Sequence, residues 1–514
     1  MIEAPLHAAR RRTQPRWSAA LAGLAAAALG LGVAELVAGL LARTATPVIA
    51  VGEAFIDRVP GWLKDLAVEW FGTADKTVLI GGVLVVFAGL SAAIGVLVTR
   101  RRTAGLLAAG VLGAVAALAV VSRPDSSVGD LLPTIVGAGA SLIALDRLAL
   151  RASATADASD PSGGRRTFLR TTGVVAGLGL VAFFVGRWLG RRRSSVEESR
   201  DAVALPDPSV EEPPGVDLGV DGSEPWQTQN EVFYRIDTAL AVPLVQAENW
   251  SLRVHGLVER EVDLGFAELV DMGLVERWVT LTCVSNEVGG YLAGNALWAG
   301  VPVADVLALA GPAADADAVK STSADGWTAG TPLEVLTDRR DALFAVAMNG
   351  EPLPVEHGFP VRMVVPGLYG YVSATKWVVD VEVTRFADFK AYWSTRGWSE
   401  RGPIKTASRI EVPRPGSGVT AGRVAVAGVA WAQHRGIQAV EVRVDDGPWR
   451  RARLADVPST DTWRQWVWEW DADRGDHDLQ VRAITADGEL QTEEEAPPAP
   501  DGATGWHRVG VTVD

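Results

Sequence analysis

Five apolar runs crowd into the first 190 residues, at roughly 17 to 42, 77 to 99, 104 to 121, 131 to 149 and 171 to 189. A run of about 17 to 25 apolar residues is long enough to cross a bilayer as a helix. One such run could be a buried core helix, but five in succession are expected to form an all-α membrane bundle. All are rich in Ala, Gly, Leu and Val, and small residues let helices approach closely in lipid.

Short loops that carry Lys and Arg are expected on the cytoplasmic side. Arg10, Arg11, Arg12 and Arg16 precede the first run, and Arg100, Arg101 and Arg102 separate the second from the third. Arg147, Arg151, Arg165, Arg166 and Arg170 lie between the fourth and fifth, whereas the alternate loops carry Arg58, Lys64 and Lys76, then Arg123. The N-terminus is therefore expected inside the cell, with residues after the fifth run outside it. Arg191, Arg192 and Arg193 run against that rule. The segment GRRTFLRTTGVVAGLGLVAFF, from Gly164, offers a reason, because an arginine pair followed by Phe168 and Leu169 ahead of an apolar run resembles a twin-arginine export signal. The competing reading is an ordinary basic flank. Glu35 lies inside the first run, as a packed neutral side chain or as a proton or quinone contact. None of the six histidines falls in a run, and Met1 is the single methionine before residue 200, so haem with His or Met ligands is not expected among these helices.

Charge divides the chain near residue 200. Before it stand 22 Lys and Arg against 14 Asp and Glu, and after it 26 against 48. So acidic a second part, with no basic stripe, makes nucleic acid an unexpected partner. Residues 191 to 228 are rich in Pro, Glu, Asp and Ser and read as an extended linker. Residues 229 to 403 mix strand patterns such as WSLRVHGLV with helix patterns such as VPVADVLALAG, and are expected to form an α+β domain. From 404 to 514, VAVAGVAWA, AVEVRVDDGPW, WRQWVWEWD and HDLQVRAITADG alternate at period two between turn signals, which predicts an all-β immunoglobulin-like sandwich.

Cys283 is the only cysteine in 514 residues, so no intramolecular disulfide can form. A lone cysteine is usually a small buried hydrophobe. Here ERWVTLTC reads as a strand ending at the thiol and SNEVGG as a polar, glycine-rich loop, which puts the sulfur at a strand end where it can meet a metal or substrate.

Together with that strand and loop, LWAGVPV from Leu297, the long motif HGFPVRMVVPGLYGYVSATKW from His357 to Trp377 and the terminal sandwich resemble the sulfite oxidase family of molybdenum enzymes over about residues 228 to 514. The resemblance implies a molybdenum–molybdopterin cofactor whose protein ligand is the Cys283 thiolate, a soft donor suited to such a centre. It also implies that His357, Arg362 and Lys376 serve the cofactor and its phosphate, with backbone groups around Ser373 adding contacts. Arg235, in FYRIDTAL, would lie close to the metal, and Asp325, in SADGWTAGTP, could accept from the pterin's amino-pyrimidine edge.

The loop after Cys283 departs from the family in carrying Glu287 where an arginine would help to bind sulfite. A carboxylate at the metal would repel that anion. Three readings follow. The first is a membrane-tethered, multi-pass, extracytoplasmic molybdenum oxidoreductase acting on a small sulfur compound, passing electrons to a separate carrier or quinone and pairing as a homodimer through the sandwich. The second is a repair enzyme of methionine sulfoxide reductase type, and the third a cofactor-free adhesion or scaffold module.

Overall fold

A computed structural model describes residues 16–41, 46–59, 70, 75–123, 128–156, 161–193, 196–206 and 208–514. Arg10, Arg11, Arg12 and Lys64, which help to orient the chain by charge, lie outside them. The chain folds into two compact units, Met1–Ser195 with Ala239–Val242, and Val196–Thr238 with Pro243–Asp514.

Among the described residues of the first unit, five helices are long and apolar enough to cross a membrane: Arg16–Leu40, Val78–Arg100, Arg102–Val121, Leu131–Ala152 and Gly164–Gly190. Their outward faces carry large apolar side chains such as Val85, Leu107, Leu118 and Phe184. Glycines set the closest approaches. A Cβ on Gly32 would lie 1.9 Å from the Gly179 carbonyl oxygen, and one on Gly39 would lie 2.1 Å from that of Gly186. The first and fifth long helices thus meet backbone to backbone, the contact that small residues permit. Periodicity alone did not reveal the helix Pro47–Arg58, which Pro47 opens at a position where a missing N–H costs nothing. Arg165 and Arg166 are exposed on the helix Pro161–Arg193, while Phe168 is buried beside Ala22, Ala25, Leu148 and Ala152.

In the second unit, one five-stranded sheet runs in the order Val262–Gly265, Ser251–Gly256, Val378–Thr384, Ala318–Ser323 and Thr328–Pro332. Another contains Val275–Thr282, Ala293–Pro302, Leu343–Met348 and Glu351–Pro352, with Arg362–Val364 paired to Leu343–Met348. Helices such as Val303–Ala310, ended by Gly311 at φ 69°, complete the α+β part. The C-terminal strands form two sheets whose inward residues, including Val426, Val440, Trp466, Leu479 and Val511, share one core. The period-two alternation already identified those inward faces.

The α+β part and the sandwich are fused where they meet. Trp463 and Trp431 of the sandwich belong to the same apolar cluster as Val284, Tyr369 and Trp226. Thr280, three residues before the cysteine, accepts the Trp463 amide through its hydroxyl at 2.8 Å and donates its own amide to the Asp461 carbonyl at 2.9 Å.

The expected linker at 191 to 228 needs correction. Val196–Ala202 is helical, and Trp226 is fully buried, its indole donating to the Trp463 carbonyl at 3.3 Å while the Trp463 indole returns a 2.9 Å bond to the Trp226 carbonyl. Glu276 accepts the Ser209 and Val210 amides at 2.7 and 3.0 Å. Proline and acid-rich composition removes regular secondary structure here without removing packing, and Val216 and Trp226 anchor the segment in the core.

Candidate active site

The strand Val275–Thr282 ends where its neighbour Ala293–Pro302 begins, and the intervening loop opens with Cys283. The Cys283 amide donates to the Leu292 carbonyl at 2.9 Å, and its carbonyl accepts the Asn286 amide at 3.1 Å. Asn286 Oδ1 in turn accepts the Leu292 amide at 2.8 Å. These bonds fold a tight loop that holds the thiol, almost wholly buried, at the wall of a cleft. Burial pushes the thiol's pKa up, while hydrogen bonds from the Ser285 amide and hydroxyl pull it down.

The motif from His357 to Trp377 furnishes another part of the lining. His357, Arg362, Lys376 and Trp377 all line the cleft. Arg362 is wholly desolvated. Its Nη1 donates to the His357 carbonyl at 3.1 Å, its guanidinium lies 5.0 Å from the Trp298 ring centre, and among the described residues no carboxylate pairs with it. Burial lowers its pKa to about 10. Lys376 Nζ donates to Asp237 Oδ2 at 2.7 Å and to the Glu356 carbonyl at 3.2 Å. Burial takes this ammonium down to about 8 even though Asp237 pulls it up. His357, brought to about 4 by burial and then by Arg362 and Lys376, is a neutral imidazole 3.2 Å from the Asn230 carbonyl. The cleft lining therefore includes two buried cations, a neutral histidine, a buried thiol and the carboxylates of Asp237 and Asp325.

Of the remaining residues singled out from sequence, Asp325 lines the cleft, its Oδ1 accepting the Trp327 amide at 3.1 Å. Arg235 stands outside the cleft lining, partly exposed, with Nε 2.8 Å from Asp237 Oδ2, and so touches the site through that carboxylate. Ser373 itself is buried, its hydroxyl donating to the Tyr369 carbonyl at 2.9 Å and its amide to the Gly370 carbonyl at 3.3 Å, while its neighbours Gly370 and Ala374 line the cleft. Glu287 is a correction. The turn fixed by Asn286 sends it to the exposed outer side of the loop, where it lines a separate small cavity with Thr406, Ser408 and Gln491.

Sequence reasoning missed Asp237, although it stands two residues after Arg235 in the same segment, FYRIDTAL. Also missed were Phe233, Tyr234 and the aromatic mouth of Tyr371, Trp393 and Trp398, whose rings lie 5.9 Å (Tyr371 to Trp398) and 6.2 Å (Trp393 to Trp398) apart. Aromatic residues in loops carry no periodic signal, so only the folded chain brings them together.

Among the described residues no three His, Cys, Asp or Glu side chains cluster to hold a metal ion by themselves. A metal here would be held by the single thiolate together with ligands of a non-protein chelate.

Comparison with known proteins points the same way. The family model described as Oxidoreductase molybdopterin binding domain matches residues 239–393. An uncharacterized oxidoreductase of Bacillus subtilis, YuiH, is 34% identical over 153 residues, covering 30% of this chain and 74% of the relative. Sulfite oxidase of Gallus gallus is 30% identical over 48% of this chain and 63% of its own length, and the mitochondrial sulfite oxidase of Homo sapiens is 29% identical over 57% and 62%. The chain thus spans less than two thirds of either sulfite oxidase. The solved sulfane dehydrogenase SoxCD of Paracoccus pantotrophus superposes with a TM-score of 0.50 at 23% identity, over 61% of this chain and 91% of that one, and so shares the fold.

Proposed function

Since the chain belongs to the molybdopterin-binding oxidoreductases of the sulfite oxidase family, we propose that it works as a membrane-tethered extracytoplasmic enzyme transferring an oxygen atom to or from a small sulfur compound. The observation that carries this reading is the buried Arg362, which has no carboxylate partner among the described residues and lines the same cleft as Lys376 and Cys283. A desolvated guanidinium costs several kcal/mol or more unless an anion completes it. The phosphate of a molybdopterin is such an anion, and Arg362 offers it a planar fork while Lys376 offers a point charge. The donor set thus fits the cofactor that the family implies.

Once bound, the cofactor supplies two-electron oxygen-atom transfer at molybdenum. Cys283 is the protein thiolate for the metal, and Asp325 is an acceptor for the pterin edge. Asp237 sits between Arg235 and Lys376 and fixes the direction of the ammonium. The neutral His357 donates or accepts a hydrogen bond without adding a third positive charge.

Glu287 is not among the residues that line the cleft, so it is assigned no part in substrate choice. Arg362 and Lys376 are the cationic side chains of the cleft lining, and both are assigned to the cofactor. The mouth formed by Tyr371, Trp393 and Trp398 suits an uncharged organic sulfur compound better than an inorganic dianion. This favours, as a second reading, a reductase acting on sulfoxides such as oxidised methionine. Electrons would pass to a separate carrier or a membrane quinone, and the sandwich could pair two copies.

The test uses full-length protein in detergent, produced in a host that makes molybdopterin. About one molybdenum per chain is expected, as one thiolate site implies. Cys283→Ser should abolish turnover with a set of sulfur compounds and redox dyes while leaving the fold intact, because a hydroxyl is a harder and far weaker acid than a thiol. Full turnover in that variant would remove Cys283 from the site.

A further inference from the structure

The loop that presents Cys283 is gripped from its far side by the sandwich. Arg409, on the strand Ala407–Val412, is wholly buried, and its Nη1 donates to the Gly290 carbonyl at 2.7 Å. The same guanidinium lies 4.6 Å from the ring centre of Tyr291. Its other nitrogens bond Glu411 and, at 3.1 Å, Glu224 Oε2. Glu411 also accepts the Ser223 hydroxyl at 2.6 Å and the Glu224 amide at 2.9 Å. One side chain therefore ties together the cysteine loop, the sandwich and the segment around residue 224.

Burial of an arginine here has a reason beyond charge pairing. Glu411 alone would neutralise a simpler cation, and a buried pair is often no more stable than apolar side chains of similar volume. The guanidinium fork provides donors in fixed directions for the loop carbonyl as well as for the two carboxylates. A neighbouring contact acts on the same loop. Gly289 has φ +78°, and a Cβ there would sit 2.2 Å from the ring of His507, whose Nδ1 accepts the Ile410 amide at 3.0 Å. The loop thus has sandwich atoms against both Gly289 and Gly290, six and seven residues beyond the thiol.

We propose that Arg409 is a positioning residue that holds the Cys283 loop in the geometry needed for metal ligation, making the sandwich a working part of the catalytic centre. The proposal rests on the reading that Cys283 is the metal ligand. Its test is separable from that reading, because Cys283 is the only thiol in the chain and its alkylation can be followed without any cofactor.

Full-length protein made without molybdopterin is treated with iodoacetamide, and the labelling rate of Cys283 is compared with thermal unfolding of the same sample. In Arg409→Met with Glu411→Gln, which removes the buried Glu411 charge together with its cation, labelling is expected to rise about tenfold or more through local opening of the loop, with unfolding of the sandwich little changed. Arg409→Lys keeps the charge but loses the fork, and an increase of roughly a fewfold is expected. If the double variant does not fold, Arg409→Lys alone decides. With the cofactor present, both variants should retain less molybdenum than wild type. Labelling at the wild-type rate in the folded variants overturns the proposal. Wild-type protein that binds no molybdenum would instead remove the ligand reading and leave the labelling contrast standing.

Discussion

At the scale of single residues, the site is a problem of buried charge. His357 and His507 both titrate near 4 because burial disfavours their imidazolium forms, with Arg362 and Lys376 adding to the effect at His357 and Arg409 at His507. An unfolded histidine takes up its proton near 6.5. Between those values the unfolded chain binds more protons than the folded one, so stability is full above about pH 6.5 and is lost as pH falls toward 4. Tryptophan fluorescence of cofactor-free protein should show the unfolding midpoint dropping across that window. The slope should be shallower in His357→Asn and His507→Asn, and an unchanged slope in both would mean that these histidines are not buried neutral. Much of this site was legible in the sequence. Cys283, His357, Arg362 and Lys376 lie in one strand end and one continuous motif, so their order along the chain already carried their neighbourhood. Glu287 was not placed correctly, because which way a loop residue points depends on the turn made by Asn286, and side-chain type does not encode that direction.

Among elements, the long helices were read from the length of their apolar runs and the sandwich strands from their period-two alternation, whereas residues 196 to 228 were misread because packing without regular structure leaves neither signal. Trp226 makes that difference measurable. It is fully buried against Trp278 at 4.7 Å between ring centres, and each of Trp226 and Trp463 donates its indole N–H to the other's carbonyl. Trp226→Ala is expected to cost about 3 to 5 kcal/mol, the usual range for deleting a buried aromatic side chain. A lowered unfolding midpoint of the catalytic unit would record the loss, and a midpoint equal to wild type would return this segment to the status of a linker. The arginine pair before the fifth long helix is a separate matter. Arg165 lies 4.9 Å from the ring centre of Trp17, and both arginines are solvent-exposed. Replacing Arg165 and Arg166 by lysine preserves every charge, so a basic flank would be unaffected. If the segment is an export signal, the catalytic unit should stay inside the cell, protected from protease added to spheroplasts. Unchanged exposure to protease would make the pair a topology flank.

For the whole molecule, an apolar helical unit and an acidic enzymatic unit are joined in one chain. The five long helices are consistent with an anchor, and the catalytic unit is complete in its own core. Its α+β part and its sandwich share buried residues, and the cysteine loop is fastened by both. The central claim is that the single cysteine is the protein's bond to molybdenum. Molybdenum-edge X-ray absorption on full-length protein tests it most directly, comparing wild type with Cys283→Ser at equal molybdenum content. One sulfur fewer around the metal in the variant is the expected result, and an unchanged sulfur count would contradict the claim.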